Sequence, residues 1–142
     1  MKKRFSVAII ILVPLTFAGV VFWEFKKATS PPSCHRDTCI NRDARDEQCD
    51  KDVETSMKQE FKEATLTLRY SATCNTSWAR AVVPIGSILY VEDVRGRKYG
   101  EFQLFDDGVA TEHYGNMGPG RALKACVQLP DGKDLCTKLA PD

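Results

Sequence analysis

The 142-residue chain has the length of one ordinary domain, and its 43% hydrophobic and 27% charged content excludes wholesale disorder. A formal net charge of +1 argues against the strongly basic footprint of a nucleic-acid-binding protein. The balance is uneven: residues 1–30 hold five of the 20 Lys/Arg residues against one acid, Glu24, which leaves 15 basic and 18 acidic groups in residues 31–142.

In chain order the first element is apolar. After Met1-Lys2-Lys3-Arg4, the run Val7 to Trp23 holds 17 residues without a charge. A spanning helix needs ~20 mostly apolar residues, whereas a signal peptide has an apolar region of ~7–15 followed by small residues. Phe22, Trp23 and Phe25 close the run with interfacial aromatics. Residues 1–25 are therefore expected to be an uncleaved single-pass anchor with its N-terminus in the cytoplasm. The alternative is a cleaved signal peptide and a secreted chain. Either way, residues 26–33 (KKATSPPS) read as a short linker and residues 34–142 as an extracytoplasmic domain.

Six cysteines, all beyond residue 33, suit an oxidising compartment. Fifteen pairings are open to six cysteines. Cys126 and Cys136 flank a Pro130-Asp131-Gly132 turn, Cys34 and Cys39 can close a small loop, and Cys49 then remains with Cys74. That set, Cys34–Cys39, Cys49–Cys74 and Cys126–Cys136, is the expected one. Residues 34–50 carry many charges and no apolar period, and read as a loop pinned by cysteines.

Val53, Met57 and Phe61, spaced by four, favour a short amphipathic helix near 52–62 capped by Asp50 or Asp52, although Val53, Thr55 and Met57 also alternate. From Ala64 the period is two. Strands are predicted over 64–71, 78–83, 87–94, 98–105, 109–114, 122–129 and 134–139. Turn chemistry separates them, including Arg95-Gly96-Arg97, Asp106-Asp107-Gly108 and GNMGPG at 115–120. The expected fold is all-β: a small antiparallel sandwich or barrel with one short helix, stapled by disulfides behind an N-terminal transmembrane helix.

No hydrolase motif such as G-x-S-x-G or H-E-x-x-H is present. His113 is the candidate for catalysis, and its plainer reading is a solvent-facing histidine at a strand end. Cys34, His35, Cys39 and Cys49 have zinc-ligand chemistry, but disulfides are the better use of these thiols outside the cell. Asn41, Asp43, Asp46 and Asp50 offer oxygens for calcium without the D-x-D-x-D-G spacing. Asn75-Thr76-Ser77 fits a glycosylation acceptor. No metal and no cofactor is expected. Arg69, Trp78 and Arg80 form the binding candidate: a tryptophan among arginines stacks on a sugar ring or an anionic polymer, unless it packs over a disulfide instead.

The order Cys34, Cys39, Asp43, Cys49, then Leu68-Arg69-Tyr70-Ser71, Cys74, Thr76 and Trp78-Ala79-Arg80 resembles the YjfA-like family of small exported bacterial proteins, a domain family of unknown function. Where that family shows Lys-Asp-Pro, this chain has Arg42-Asp43-Ala44. The resemblance implies an exported bacterial domain and supplies no reaction or catalytic residue. The function expected is a non-enzymatic module of the bacterial cell envelope that binds a wall polymer or an envelope protein. A small exported hydrolase and a structural subunit of an envelope complex are the alternatives.

Overall fold

The structure, a computed structural model, describes residues 30–105 and 112–142. The expected anchor over 1–25, the first half of the linker (26–29) and the Asp106-Asp107-Gly108 turn lie outside the described residues. No helix among the described residues is long and apolar enough to cross a membrane.

Residues Pro31–Asp142 form one compact unit built from two antiparallel sheets. The first runs β1 (Val53–Glu60), β2 (Thr65–Ser71) and β3 (Thr76–Val82); β6 (His113–Tyr114) and β7 (Gly118–Pro119) share the far edge of β3. The second has the order β5 (Lys98–Gln103), β4 (Ile88–Glu92), β8 (Lys124–Gln128), β9 (Asp134–Cys136). A period of two sends alternate side chains to opposite faces. Leu66, Leu68, Ala79 and Ala81 of the first sheet thus meet Leu89, Val91, Ala125 and Val127 of the second in one cluster, none more than 2% exposed. Each large aliphatic buried in this layer contributes ~1.5–3 kcal/mol before chain entropy is counted. The architecture is a sandwich, as the alternation predicts.

The expected helix near 52–62 is instead β1. Its register with β2 shifts between Thr55 and Met57. Before the shift Val53 lies opposite Ser71; after it Met57 lies opposite Leu68. One extra residue in the strand moves the following side chains to the other face. Val53 therefore packs with Trp78 on the outer face of the first sheet, while Met57 packs on the sandwich core. The spacing of four that reads as a helix is a bulged strand touching two different cores.

A second difference concerns GNMGPG. This segment is no simple turn: Gly115 N–H donates to Ala79 O (2.8 Å), Asn116 N–H to Gly100 O (3.1 Å) and Met117 N–H to Arg42 O (2.9 Å). It stitches β3, β5 and the N-terminal loop together before β7 pairs with Thr76 and Ser77. Close packing explains its glycines. A Cβ on Gly118 would fall inside van der Waals contact of Val91 Cγ2 and lie 3.1 Å from Tyr99 Cβ.

All six cysteines are in disulfides: Cys34–Cys39, Cys49–Cys74 and Cys126–Cys136. Cys126 and Cys136 face each other directly across β8 and β9. Above them the hairpin closes through Leu129 N–H to Lys133 O (2.8 Å) and Lys133 N–H to Asp131 Oδ1 (3.0 Å).

Candidate functional site

The outer face of the first sheet carries the three residues singled out from the sequence. Arg69 on β2 lies directly opposite Trp78 on β3, and Arg80 follows Trp78 on the same face. Residues 34–50 fold over this face. A 3-10 turn at Arg36–Cys39 opens the segment, and Asp43 Oδ1 accepts from the amide of Arg45 (2.7 Å) to start the next bend. Asn41 N–H donates to Met117 O (2.9 Å), while the Cys49–Cys74 bridge ties the end of the segment to the β2–β3 turn. Asp52 reinforces that turn by accepting from Ser71 Oγ (2.6 Å), Thr73 N–H (2.8 Å) and Thr73 Oγ1 (2.8 Å). Partial burial pushes the Asp52 carboxyl up, but these hydrogen bonds outweigh it and leave the group below its ordinary value. Ser33 and, after a smaller opposing effect of burial, Arg42 likewise hold the Glu47 carboxyl low.

Trp78 is 2% exposed and packs with Cys49, Cys74, Ala44 and Met117. An indole so enclosed is first of all the floor of a second, smaller core. It also forms the base of a hollow of 210 Å³ between the loop and the sheet, walled by Arg69, Tyr114, Arg45, Asp43 and Asp50. That volume lies below the ~300–1,000 Å³ of typical small-molecule pockets, so the hollow suits a single ring or side chain. Two features mark it as unsatisfied. Asp50 Oδ1 is buried without a hydrogen-bond partner among the described residues, its ion pair with Lys51 Nζ standing at 3.7 Å, beyond hydrogen-bond length. Arg69 donates from Nη1 to Thr55 Oγ1 (2.9 Å) and has no carboxylate within ion-pair distance among the described residues. A donor-rich guanidinium and a carboxylate whose ion pair is with its neighbour Lys51 thus line one small space together with two aromatic rings.

Arg80 is not in this hollow. It pairs with Glu112 and borders a neighbouring depression with Thr55, Thr67 and Lys58. Tyr114 links the two places, since the guanidinium carbons of Arg45 and Arg80 lie 5.4 and 6.0 Å from its ring centre. The structure therefore brings Arg69 and Trp78 together and sets Arg80 beside them. Sequence reasoning missed Asp50 and Tyr114 as walls, because only the folded loop and the β3–β6 pairing bring them to this face.

The other candidates fall elsewhere. His113 is half-buried on β6, and its Nε2 is enclosed without a hydrogen-bond partner among the described residues, so it is not the solvent-facing histidine expected. Asn41 Oδ1 accepts from Gly100 N–H (2.9 Å) and Asp43 Oδ1 closes a turn, which commits two of the oxygens considered for calcium to the loop's own structure. Cys34, Cys39 and Cys49 do cluster, but as disulfide sulfurs they carry no thiolate to ligate zinc.

Comparison with known protein families matches residues 37–117, more than half of the chain, to the family described as "Protein of unknown function (DUF2690)". The chain belongs to this family. The match spans every residue that lines the hollow. Membership establishes a domain of unknown function; the YjfA-like likeness remains one of motif. Neither the curated proteins nor the solved structures provide a significant match.

Proposed function

We propose that this DUF2690 chain is a membrane-anchored, extracytoplasmic binding module of the bacterial cell envelope. Its site is the hollow over Trp78, and its ligand is a wall polymer presenting a hydroxyl-rich ring. The observation that carries this reading is one small space lined by an arginine without a carboxylate partner among the described residues, an acid and two aromatic rings. Arg69 offers donors, the partly exposed Asp50 carboxylate offers an acceptor, and Trp78 and Tyr114 supply apolar walls. A sugar hydroxyl donates and accepts at once, and the ring's C–H face lies against an aromatic. The uncharged run from Val7 to Trp23 behind Lys2, Lys3 and Arg4 supports the anchor, and three disulfides support the compartment.

The test is sedimentation of the full-length chain, in mild detergent, with purified insoluble cell wall. Arg69→Ala and Asp50→Asn should each lower the bound fraction, by roughly tenfold in affinity for one lost hydrogen bond to a charged group. Attachment unchanged in both variants, with normal thermal unfolding, refutes the site. Trp78→Ala is unsuitable here, because a side chain so enclosed would take the fold with it.

A further inference from the structure

A larger concavity lies at one end of the sandwich, where the apolar layer gives way to polar residues. On β2 the core face reads Leu66, Leu68, Tyr70; beyond Val91 on β4 comes Asp93, and Tyr99 on β5 lies opposite Val91. Between these ends is a groove of 500 Å³, inside the range of small-molecule sites. Its walls hold three arginines, Arg36, Arg97 and Arg121, and the two tyrosines.

The walls are pre-arranged. Arg121 lies over the Tyr70 ring at 4.9 Å and pairs with Glu54 at 2.6 Å; Arg97 lies over Tyr99 at 5.8 Å and pairs with Asp93 at 2.8 Å. Asp93 also accepts from the amides of Arg95 and Arg97 and from the Tyr99 hydroxyl, so this wall is tied to itself. Asn75 accepts from the Tyr70 hydroxyl at 3.2 Å. Two cations are thereby fixed in place and largely neutralised.

Arg36 is different. Its ion pair among the described residues is with its neighbour Asp37 at 3.7 Å, beyond hydrogen-bond length. Its backbone stands at φ +46°, a left-handed conformation that costs a non-glycine residue roughly 1 kcal/mol or more. The Cys34–Cys39 bridge encloses it, and its amide donates to Cys74 O at 2.7 Å. The fold thus holds a strained arginine with an uncommitted guanidinium at the rim of a groove already lined by two others. Asp142 also borders the groove, as an exposed carboxylate without an ion pair among the described residues.

We propose that this groove binds the anionic group, phosphate or carboxylate, of a hydroxyl-rich polymer, with Arg36 as the bidentate donor. Arg97 and Arg121, held by Asp93 and Glu54, keep the walls in place beside it, and Tyr70 and Tyr99 receive the unit that carries the charge. A guanidinium matches the geometry of both anions, which is why Arg36 selects for the anionic group and not for one acid. The site is separate from the hollow over Trp78 and shares none of its lining residues.

Calorimetric titration of the full-length chain carrying Arg69→Ala, which silences attachment through the hollow over Trp78, tests this in mild detergent at low salt with three probes: poly(glycerol phosphate), polygalacturonate and neutral dextran. Binding by the first alone assigns phosphate, by the second alone carboxylate, and by both the shared anion chemistry; each supports the site provided dextran fails. Arg36→Gly removes the guanidinium while suiting the left-handed backbone, and should weaken binding about tenfold. Arg36→Lys should recover part of the loss, and Asp142→Asn should strengthen binding. Lys138→Ala, an exposed cation outside the groove, should change nothing. Absence of binding by both polyanions, equal binding of dextran, or binding that Arg36→Gly leaves intact overturns the proposal.

Discussion

Removing the Cys49–Cys74 bridge by the double substitution Cys49→Ala, Cys74→Ala should be the most damaging of the three disulfide deletions. The two cysteines are 25 residues apart, against 5 for Cys34–Cys39 and 10 for Cys126–Cys136. Loop-closure entropy then assigns about 3.5 kcal/mol to this bridge, and about 2.1 and about 2.7 kcal/mol to the other two. Burial adds to the loss, as it does for Cys34 and Cys39 in the same cluster. Cys49 and Cys74 are both 0% exposed and pack on Trp78, so losing two sulfurs from that cluster adds about 1 kcal/mol of cavity cost. A total near ~4.5 kcal/mol, at a slope of about 4 kcal/mol per molar guanidinium, lowers the unfolding midpoint by about 1 M. The assay is guanidinium denaturation of the full-length chain without reductant, followed by far-ultraviolet circular dichroism, with the three double variants side by side. The loss also falls on one side of the molecule: cell-wall attachment through the hollow should vanish in refolded protein, because the bridge holds the end of the covering loop. If the Cys34/Cys39 variant unfolds at the same midpoint or a lower one, both the entropy ranking and the role given to the Trp78 cluster are wrong.

Two more perturbations probe other parts of the fold. Gly118→Ala pushes a methyl group into Val91 and Tyr99 and should cost ~1–3 kcal/mol, with Tm lower by several degrees; an unchanged Tm would mean that the seam between β7 and the second sheet is looser than described. Asp93 should titrate at about 2, held down first by the Arg97 amide and then, against some opposing burial, by the Arg97 guanidinium and the Arg95 amide. A carboxyl so lowered stabilises the fold above its unfolded value of ~3.9 and loses that contribution as pH falls toward 2. Asp93→Asn should accordingly flatten the acid limb of the stability profile between those values. An NMR titration midpoint for Asp93 near 4 would contradict the hydrogen-bond network.

The strands that build the sandwich were legible because each has one dry face: Leu66 and Leu68, Leu89 and Val91, and Ala125 and Val127 repeat with a period of two. The cysteine pairing was legible for a related reason, since two of the bridges close short local loops. β1 was not, because its bulge moves apolar residues between faces and turns a period of two into an apparent period of four. GNMGPG misled in the opposite direction. Its glycines are there for close approach to β5 and Val91, a demand set by residues far along the chain. The site was half legible. Arg69, Trp78 and Arg80 share a face by strand periodicity alone, but the depth of Trp78 depends on where residues 34–50 lie. No local pattern announces that a charged, unpatterned loop will roof an aromatic. The groove at the sandwich end has the same origin: Arg36, Tyr70, Arg97 and Arg121 come from four separate segments.

The β8–β9 hairpin offers a practical handle on the protein. Its tip at Asp131 and Gly132 is exposed, and the Cys126–Cys136 bridge ties the two strands together at its base. Force or bulk applied at the tip is carried across that covalent tie before it reaches the sheet hydrogen bonds. Neither the hollow nor the groove draws on residues 124–136. An epitope, a fluorophore or a surface linker inserted between Asp131 and Gly132 would therefore report on the intact domain with both recesses left open, provided the chain is handled without reductant.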